Sequence, residues 1–324
     1  MSIKIDVHAH HIPARFHEGD GQFRITRPGS DAPVFRWRRG ATGDSISNFD
    51  VRLREMGDLG VDMHVLSVLP TLFVNHLDPA DGLEACRQIN DAFADAVSAN
   101  PDRFVALANL PMQDPEAAAR ELERTVKDHG FRGAEICTNI DGKNLDDRSL
   151  APFYAKVLEL DVSVFLHPSN VLGQDRLGSY HLGNLIGNPT DTSVAAASLI
   201  FGGVLKEMPR LKFYLAHGGG SCPYLRGRWE HGWRVRPEAK VNIQKPPSEY
   251  FRLLYFDSLA HSVPALNFLV ETVGPERVML GSDYPADMND LDPVKTVASL
   301  PHISDAEREM IYSGNAIRLF KIEA

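Results

Sequence analysis

The sequence is poor in cysteine, in net positive charge and in long apolar runs, and each shortage closes a class of function. Its three cysteines, Cys86, Cys137 and Cys222, are odd in number and widely spaced, so they write neither a disulfide framework nor a thiolate metal cluster. They read as reduced, buried thiols. Acidic residues outnumber basic ones, 43 to 34, which leaves a formal charge of −9. Nucleic-acid binding requires a basic stripe, none is present, and no nucleic-acid partner is expected. No apolar run reaches the ~20 residues of a membrane span, so no membrane partner is expected either. The stretch from Met1 to Asp6 lacks the charged-then-apolar pattern of a secretion signal. A soluble, cytoplasmic protein is the expectation. Also missing are a P-loop, an H-E-x-x-H zinc helix, a G-x-S-x-G elbow and a solenoid repeat.

What is present is an alternation. Across 324 residues, 43% of them hydrophobic, short β-branched or aromatic runs occur at 3–7, 61–68, 104–110, 133–137, 162–166, 212–216, 253–256 and 277–280. Amphipathic stretches of helical period separate them, at 79–99, 115–129, 147–160, 191–207, 224–235, 264–273 and 304–320. Asp114 followed by Pro115 is a typical helix start. Eight strands alternating with helices write a (β/α)8 TIM barrel, α/β in class. A doubly wound sheet would carry a glycine-rich fingerprint after its first strand, and here that place holds His8, His10 and His11 instead. No linker divides the chain, so residues 1–324 are expected as one domain. Residues 11–48, rich in Gly, Pro, Arg and aromatics, form a long loop insertion after the first strand, expected to act as a lid. Residues 168–189 are a second irregular stretch. Loops of such length are generally functional.

The unusual polar residues fall at strand ends. His8 and His10 stand at i and i+2, which places both on one face of a strand. His167 ends the fifth strand, His217 the sixth and Asp283 the eighth. The carboxyl ends of barrel strands are where catalytic residues gather. Each residue alone has a bland reading as a loop, turn or cap residue; their joint placement on strands one, five, six and eight points to a metal site. Imidazoles with a carboxylate suit zinc or a similar divalent ion. His11 and His17 read as loop residues, His64 as part of the second strand, and His129 as a helix-end cation. His76, His181, His231, His261 and His302 are assigned no role by the sequence.

These motifs together, with Pro246 to Tyr250, Tyr255 to Ser258 and Ser313 to Asn315, resemble the amidohydrolase superfamily, and within it the branch of the carboxymuconate-semialdehyde decarboxylases. The resemblance runs through the chain except for residues 11–48. It implies one divalent metal ion, zinc, on His8, His10, His167 and Asp283, with His217 beside the ligands as the catalytic acid–base and Asp283 relaying its proton. The fourth strand holds Glu135 and no lysine, where binuclear members carry a carboxylated lysine; one metal is therefore implied. The His-x-His pair favours this branch over relatives with Glu-x-His. The resemblance further implies a homodimer and substrate-binding arginines at Arg228 and Arg236, with Arg228 entering the neighbouring subunit's site. A further arginine from the first insertion is open among Arg24, Arg27, Arg36, Arg38 and Arg39. The expected activity is metal-dependent, non-oxidative decarboxylation of a small unsaturated or aromatic carboxylic acid. The alternative is hydrolysis or hydration of a lactone, amide or enol-diacid, because ligands alone do not separate these reactions.

Overall fold

A parallel barrel of eight staves is what the alternating runs build. The computed structural model describes residues 3–19, 22–26, 33–38 and 44–323. The first stave is β1 (Ile5–His11). It is followed by an antiparallel sheet of three short strands, β2 (His17–Gly19), β3 (Gln22–Thr26) and β4 (Pro33–Arg38). The remaining staves are β5 (Met63–Val68), β6 (Phe104–Ala106) with β7 (Ala108–Asn109), β8 (Gly133–Cys137), β9 (Ser163–His167), β10 (Lys212–Leu215), β11 (Tyr255–Asp257) and β12 (Val278–Met279). β1 pairs with β5 and β5 with β6; β7 through β12 pair in sequence, all parallel. The third stave is read as two strands because Leu107 N–H turns to the Leu66 carbonyl while Ala108 and Asn109 pair onward with β8. Closure comes from the backbone: Val7 N–H donates to Leu280 O at 2.9 Å, Asp283 N–H to His8 O at 2.8 Å and His10 N–H to Tyr284 O at 2.7 Å.

The insertion expected as a loop therefore carries a small sheet, which gives its backbone groups partners that a bare loop would lack. It leads into α1 (Phe49–Leu59), capped by the Asn48 side chain, which accepts from Asp50 N and Val51 N. Next come α2 (Pro79–Ala99), α3 (Pro115–His129) and α4 (Ala151–Leu160). In α3 the expected start is realised: Asp114 accepts from Ala117 N, Pro115 opens the helix, and Gly130 at φ 71° ends it. The helix expected over 191–207 is two, α5 (Asn188–Phe201) and α6 (Val204–Glu207). Gly203 at φ 86° breaks it, a conformation that only glycine adopts without cost. Then follow α7 (Cys222–Val235), α8 (Pro247–Phe251), α9 (Val263–Val273), α10 (Pro293–Ala298), α11 (Asp305–Glu309) and α12 (Asn315–Phe320). Ser304 and Glu307 form a capping box at α11.

Below the site, Val7, Val65, Leu107, Phe165, Tyr214 and Met279 pack as one buried cluster, which Leu319 and Phe320 join. β1 shifts register between Asp6 and Ala9. Bulges of this kind re-aim side chains, and the consequence here is direct. Val7 belongs to the inner cluster while the next residue, His8, also meets Phe165 edge-on at 4.9 Å.

Candidate metal centre and active-site cavity

Three imidazoles and a carboxylate converge at the top of the barrel. One ligand atom from each of His8, His10, His167 and Asp283 lies within 4.8 Å of all the others, and all four residues are buried. The tautomers are fixed from behind. His8 Nδ1–H donates to Asp257 Oδ2 at 2.6 Å, His10 Nδ1–H to the Val68 carbonyl at 2.9 Å, and His167 Nδ1–H to the Pro168 carbonyl at 3.0 Å. Each ring thus turns its Nε2 toward the centre, the arrangement by which outer hydrogen bonds orient metal-ligating histidines.

The spacing fits an ion. His8 Nε2 and His10 Nε2 are 3.1 Å apart, and Asp283 Oδ1 is 3.3 Å and 3.1 Å from them. Tetrahedral donors about 2.0–2.1 Å from zinc stand roughly 3.3 Å from one another. His167 Nε2 is buried without a hydrogen-bond partner among the described residues, and a cation supplies what that atom lacks. Burial holds His10 below the ordinary imidazole range, and burial with the neighbouring imidazoles holds His167 well below it. Both are therefore neutral and ready to ligate. Burial would push the Asp283 carboxyl up, but His8, His10 and His217 outweigh it and hold the group well below the carboxylate range. Glu135 lies beside this cluster, Oε1 3.9 Å from His10 Nδ1. Its burial pushes it well above the carboxylate range, so it stays neutral and adds no further charge.

His217 stands outside the four. Its Nε2 is 3.6 Å from Asp283 Oδ2, whereas His8 and His10 meet Oδ1. His217 at φ 56° and Asp283 at φ 66° are both left-handed, a strain that persists where surrounding structure fixes it. The glycines after His217 make this turn possible. A Cβ on Gly219 would sit 2.6 Å from the Phe256 ring, and one on Gly220 2.2 Å from the Pro189 carbonyl. Asp257, which sequence reasoning placed in a motif but gave no role, accepts from the backbone N–H of His217 (2.9 Å), Gly218 (2.6 Å) and Leu259 (3.1 Å) as well as from His8.

Two cavities meet at His217, Asp283, Asn184 and Asn188. One, of about 430 Å³, is mostly apolar, with Leu185, Pro223, Tyr224, Leu259, Phe268 and Met288 among its walls. The other, of about 610 Å³, holds His10 and His167 with Thr71, Ser169, Asn170, Gln174 and Asp287. The irregular stretch 168–189 supplies walls to both, as its length suggested. Among the described residues no arginine or lysine lines either cavity.

The two helix arginines accordingly lie elsewhere in this chain. Arg228 is exposed on α7, one turn after Tyr224. Arg236 is not helical: α7 ends at Val235, Arg236 is extended at φ −114° and ψ 119°, and its Nη2 pairs with Glu238 at 2.8 Å. In this chain it stands as an exposed ion-pair partner. Of the insertion arginines, Arg24 lies on β3 and Arg36 and Arg38 on β4, while Arg27 and Arg39 lie outside the described residues. His11, read as a loop residue, ends β1 and is buried against Phe49 with ring centroids 4.2 Å apart.

Comparison with known proteins agrees with this geometry. Residues 5–322 match the amidohydrolase family. A 2-amino-3-carboxymuconate-6-semialdehyde decarboxylase from Dictyostelium discoideum is 41% identical over 85% of this chain and 77% of its own. A gamma-resorcylate decarboxylase from Rhizobium sp. is 33% identical over 85% and 87%. The solved structure of a dihydroxybenzoic acid decarboxylase from Polaromonas sp. JS666, with bound manganese and the inhibitor 2-nitroresorcinol, superposes with a TM-score of 0.81 at 28% identity, covering 99% of this chain and 97% of that one. With a barrel closed around a histidine–carboxylate divalent-metal site, and with a family match that spans nearly all of its length, this chain belongs to the amidohydrolase family.

Proposed function

We propose that the chain catalyses metal-dependent, non-oxidative decarboxylation of a small unsaturated or aromatic carboxylic acid, with His8, His10, His167 and Asp283 as ligands to zinc. The observation that carries this reading is the two-sided use of Asp283. Its Oδ1 faces the ligand nitrogens of His8 and His10, and its Oδ2 faces His217 Nε2 at the mouth shared by both cavities. When bound, the ion supplies Lewis-acid polarisation of a substrate oxygen and a fixed positive charge. The cavity that holds the His10 and His167 rings takes the carboxylate end of the substrate, and the one walled by Leu185, Leu259 and Phe268 takes the carbon framework. Asp283 Oδ2 stands 3.6 Å from His217 Nε2, and His217 lines both cavities. His217, as the imidazolium, gives a proton to the carbon bearing the carboxylate and is left neutral. The bond to the carboxylate then breaks, its electron pair returns to the carbon framework, and carbon dioxide leaves. Water restores the proton on His217.

That no arginine or lysine among the described residues lines either cavity is consistent with two further parts of the same proposal. Arg228 of a second copy completes the site in a homodimer, and the inserted sheet after β1 acts as a lid that brings a further arginine. Tyr224, 82% exposed, and Phe268, 46% exposed, flank the cavity mouth, an apolar rim that a second copy would cover. No helix among the described residues is long and apolar enough to cross a membrane. A cytoplasmic location belongs to the proposal and accords with three free, buried cysteines.

The test is a screen of hydroxybenzoic, muconate-like and lactone substrates with the metal-loaded protein, reading carbon dioxide against acid release. Carbon dioxide from an unsaturated or aromatic acid is expected. Efficient lactone opening, with no carbon dioxide from any acid, would replace this reading by hydrolysis.

A further inference from the structure

Arg52 is the largest fully buried side chain of the described residues, and the chemistry above does not use it. It projects from α1 against the seam where the barrel closes. Its Nη2 donates to the carbonyl of His10 and, at 3.4 Å, to that of Ser45; its Nη1 donates to His64 Nδ1 at 3.1 Å. The guanidinium carbon lies 4.7 Å from the centre of the Tyr284 ring, a cation–π distance. Glu55, one turn further along α1, accepts from the Tyr284 hydroxyl. None of the groups Arg52 touches among the described residues is a carboxylate. Burial lowers its pKa to about 10, so the group is charged at neutral pH. A buried cation without a directly paired anion is a poor stability device, and its placement asks for another explanation.

That placement is specific. The peptide groups flanking His10 are held at both ends by one stacked pair. Its N–H goes to the carbonyl of Tyr284, and its carbonyl receives Arg52, which rests on the Tyr284 ring. Tyr284 follows Asp283, so the pair spans the two chain segments that bring His10 Nε2 and Asp283 Oδ1 to 3.1 Å. Asp6 does the corresponding work one step away, accepting from His8 N at 2.9 Å and Ser282 N at 3.1 Å.

We propose that Arg52, stacked on Tyr284, is a positioning residue of the metal centre: it fixes the spacing between His10 and Asp283 and thereby sets metal affinity and coordination geometry. The planar fork matters. Arginine can serve the His10 carbonyl and His64 at once while lying flat on an aromatic ring, whereas the compact ammonium of lysine cannot. Partners one layer behind metal ligands typically contribute about 10–100-fold to affinity. The inference rests on the four-residue metal site and is separable from it.

The experiment titrates the demetallated full-length protein with Co²⁺, followed by its visible absorption, and with Zn²⁺ against a chromophoric chelator. Wild type, His8→Ala, Arg52→Gln and Arg52→Lys are compared, with thermal melting of each metal-free protein alongside. Wild type should bind one ion and His8→Ala none. Arg52→Gln should weaken binding by about 10–100-fold and alter the Co²⁺ spectrum, and Arg52→Lys should recover only part of the loss. If wild type takes up no ion, the metal site itself is wrong and the inference falls with it. If wild type binds and Arg52→Gln melts earlier yet keeps its affinity and spectrum, Arg52 is merely structural and the inference alone is overturned. Should Arg52→Gln fail to fold, Arg52→Lys decides, and an affinity and spectrum equal to wild type overturn the inference.

Discussion

Asp257 Oδ2 accepts two hydrogen bonds, from His8 Nδ1 at 2.6 Å and from the backbone N–H of His217 at 2.9 Å. One buried oxygen therefore orients a metal ligand and holds the turn that carries the acid–base residue. Asp257→Asn keeps the shape but removes the charge and puts a donor amide in competition with the two N–H groups. Metal affinity should fall about 10–100-fold, and kcat measured at saturating metal should fall as well because the His217 turn loosens. Metal titration and steady-state kinetics on the same preparation check both. Loss of metal affinity with unchanged kcat at saturation would separate the two roles.

The metal-free site should be sensitive to pH. Burial alone would lower the pKa of His8, but Asp283 and Asp257 outweigh it and raise the value from 6.5 to about 10. Since the folded value lies above the unfolded one, this proton stabilises the metal-free protein fully below about pH 6.5, and the contribution is lost as pH rises through about 10. An incoming ion must displace the same proton. Metal affinity should therefore rise by about tenfold per pH unit between pH 7 and 9, with roughly one proton released per ion bound. Titration in weak buffer measures the protons, and melting curves with and without metal should diverge as pH increases. A pH-independent affinity would contradict this coupling.

His217 offers a cleaner separation of binding from chemistry. It lies outside the four converging ligand atoms but faces Asp283 Oδ2 at 3.6 Å. His217→Asn should leave metal content near wild type and lower kcat by about 10²–10⁴, with a smaller change in KM. Turnover by wild type in deuterium oxide should place one deuterium on the carbon that lost its carboxyl group. A product without deuterium at that carbon would exclude His217 as its proton donor.

The parts of this molecule legible in the sequence were those written in local patterns. Strand runs, the Asp114–Pro115 helix start and chemical residues at strand ends depend on near neighbours, and the barrel follows from their alternation. His8, His10, His167 and Asp283 stood out because each is a polar residue where an apolar run stops. The rest depended on contacts across long separations. Asp257 meets His8 across 249 residues, and Arg52 meets His64 from a different element. Arg52 sits in a charged helical stretch, where arginine ordinarily faces solvent, so nothing local marked it as buried. Residues 11–48 lack a clean period of two, and their small sheet was hidden for that reason. α7 stops at Val235, where the amphipathic stretch 224–235 also ends, and Arg236 lies just past it.

The exposed position of Arg228 leads to a test of assembly. Tyr224 and Arg228 are four residues apart on α7, so they share one face of the helix. That face borders the apolar cavity through Tyr224, while neither cavity of the same chain includes Arg228 among its walls. A two-fold interface brings such a face against its own copy, and an arginine there can reach a neighbour's substrate carboxylate with its planar fork. The protein should sediment as a dimer. Arg228→Ala should raise KM more than it lowers kcat and leave metal content unchanged. Mixed dimers of Arg228→Ala and His8→Ala subunits each hold one site with an intact metal centre and an arginine only from the partner if the residue works in trans, or no complete site if Arg228 serves its own chain. The two defects meet in one site in the first case's other half, so activity should recover to roughly half of wild type per mixed dimer. Verified mixed dimers without recovered activity would exclude Arg228 acting in the neighbouring subunit's site.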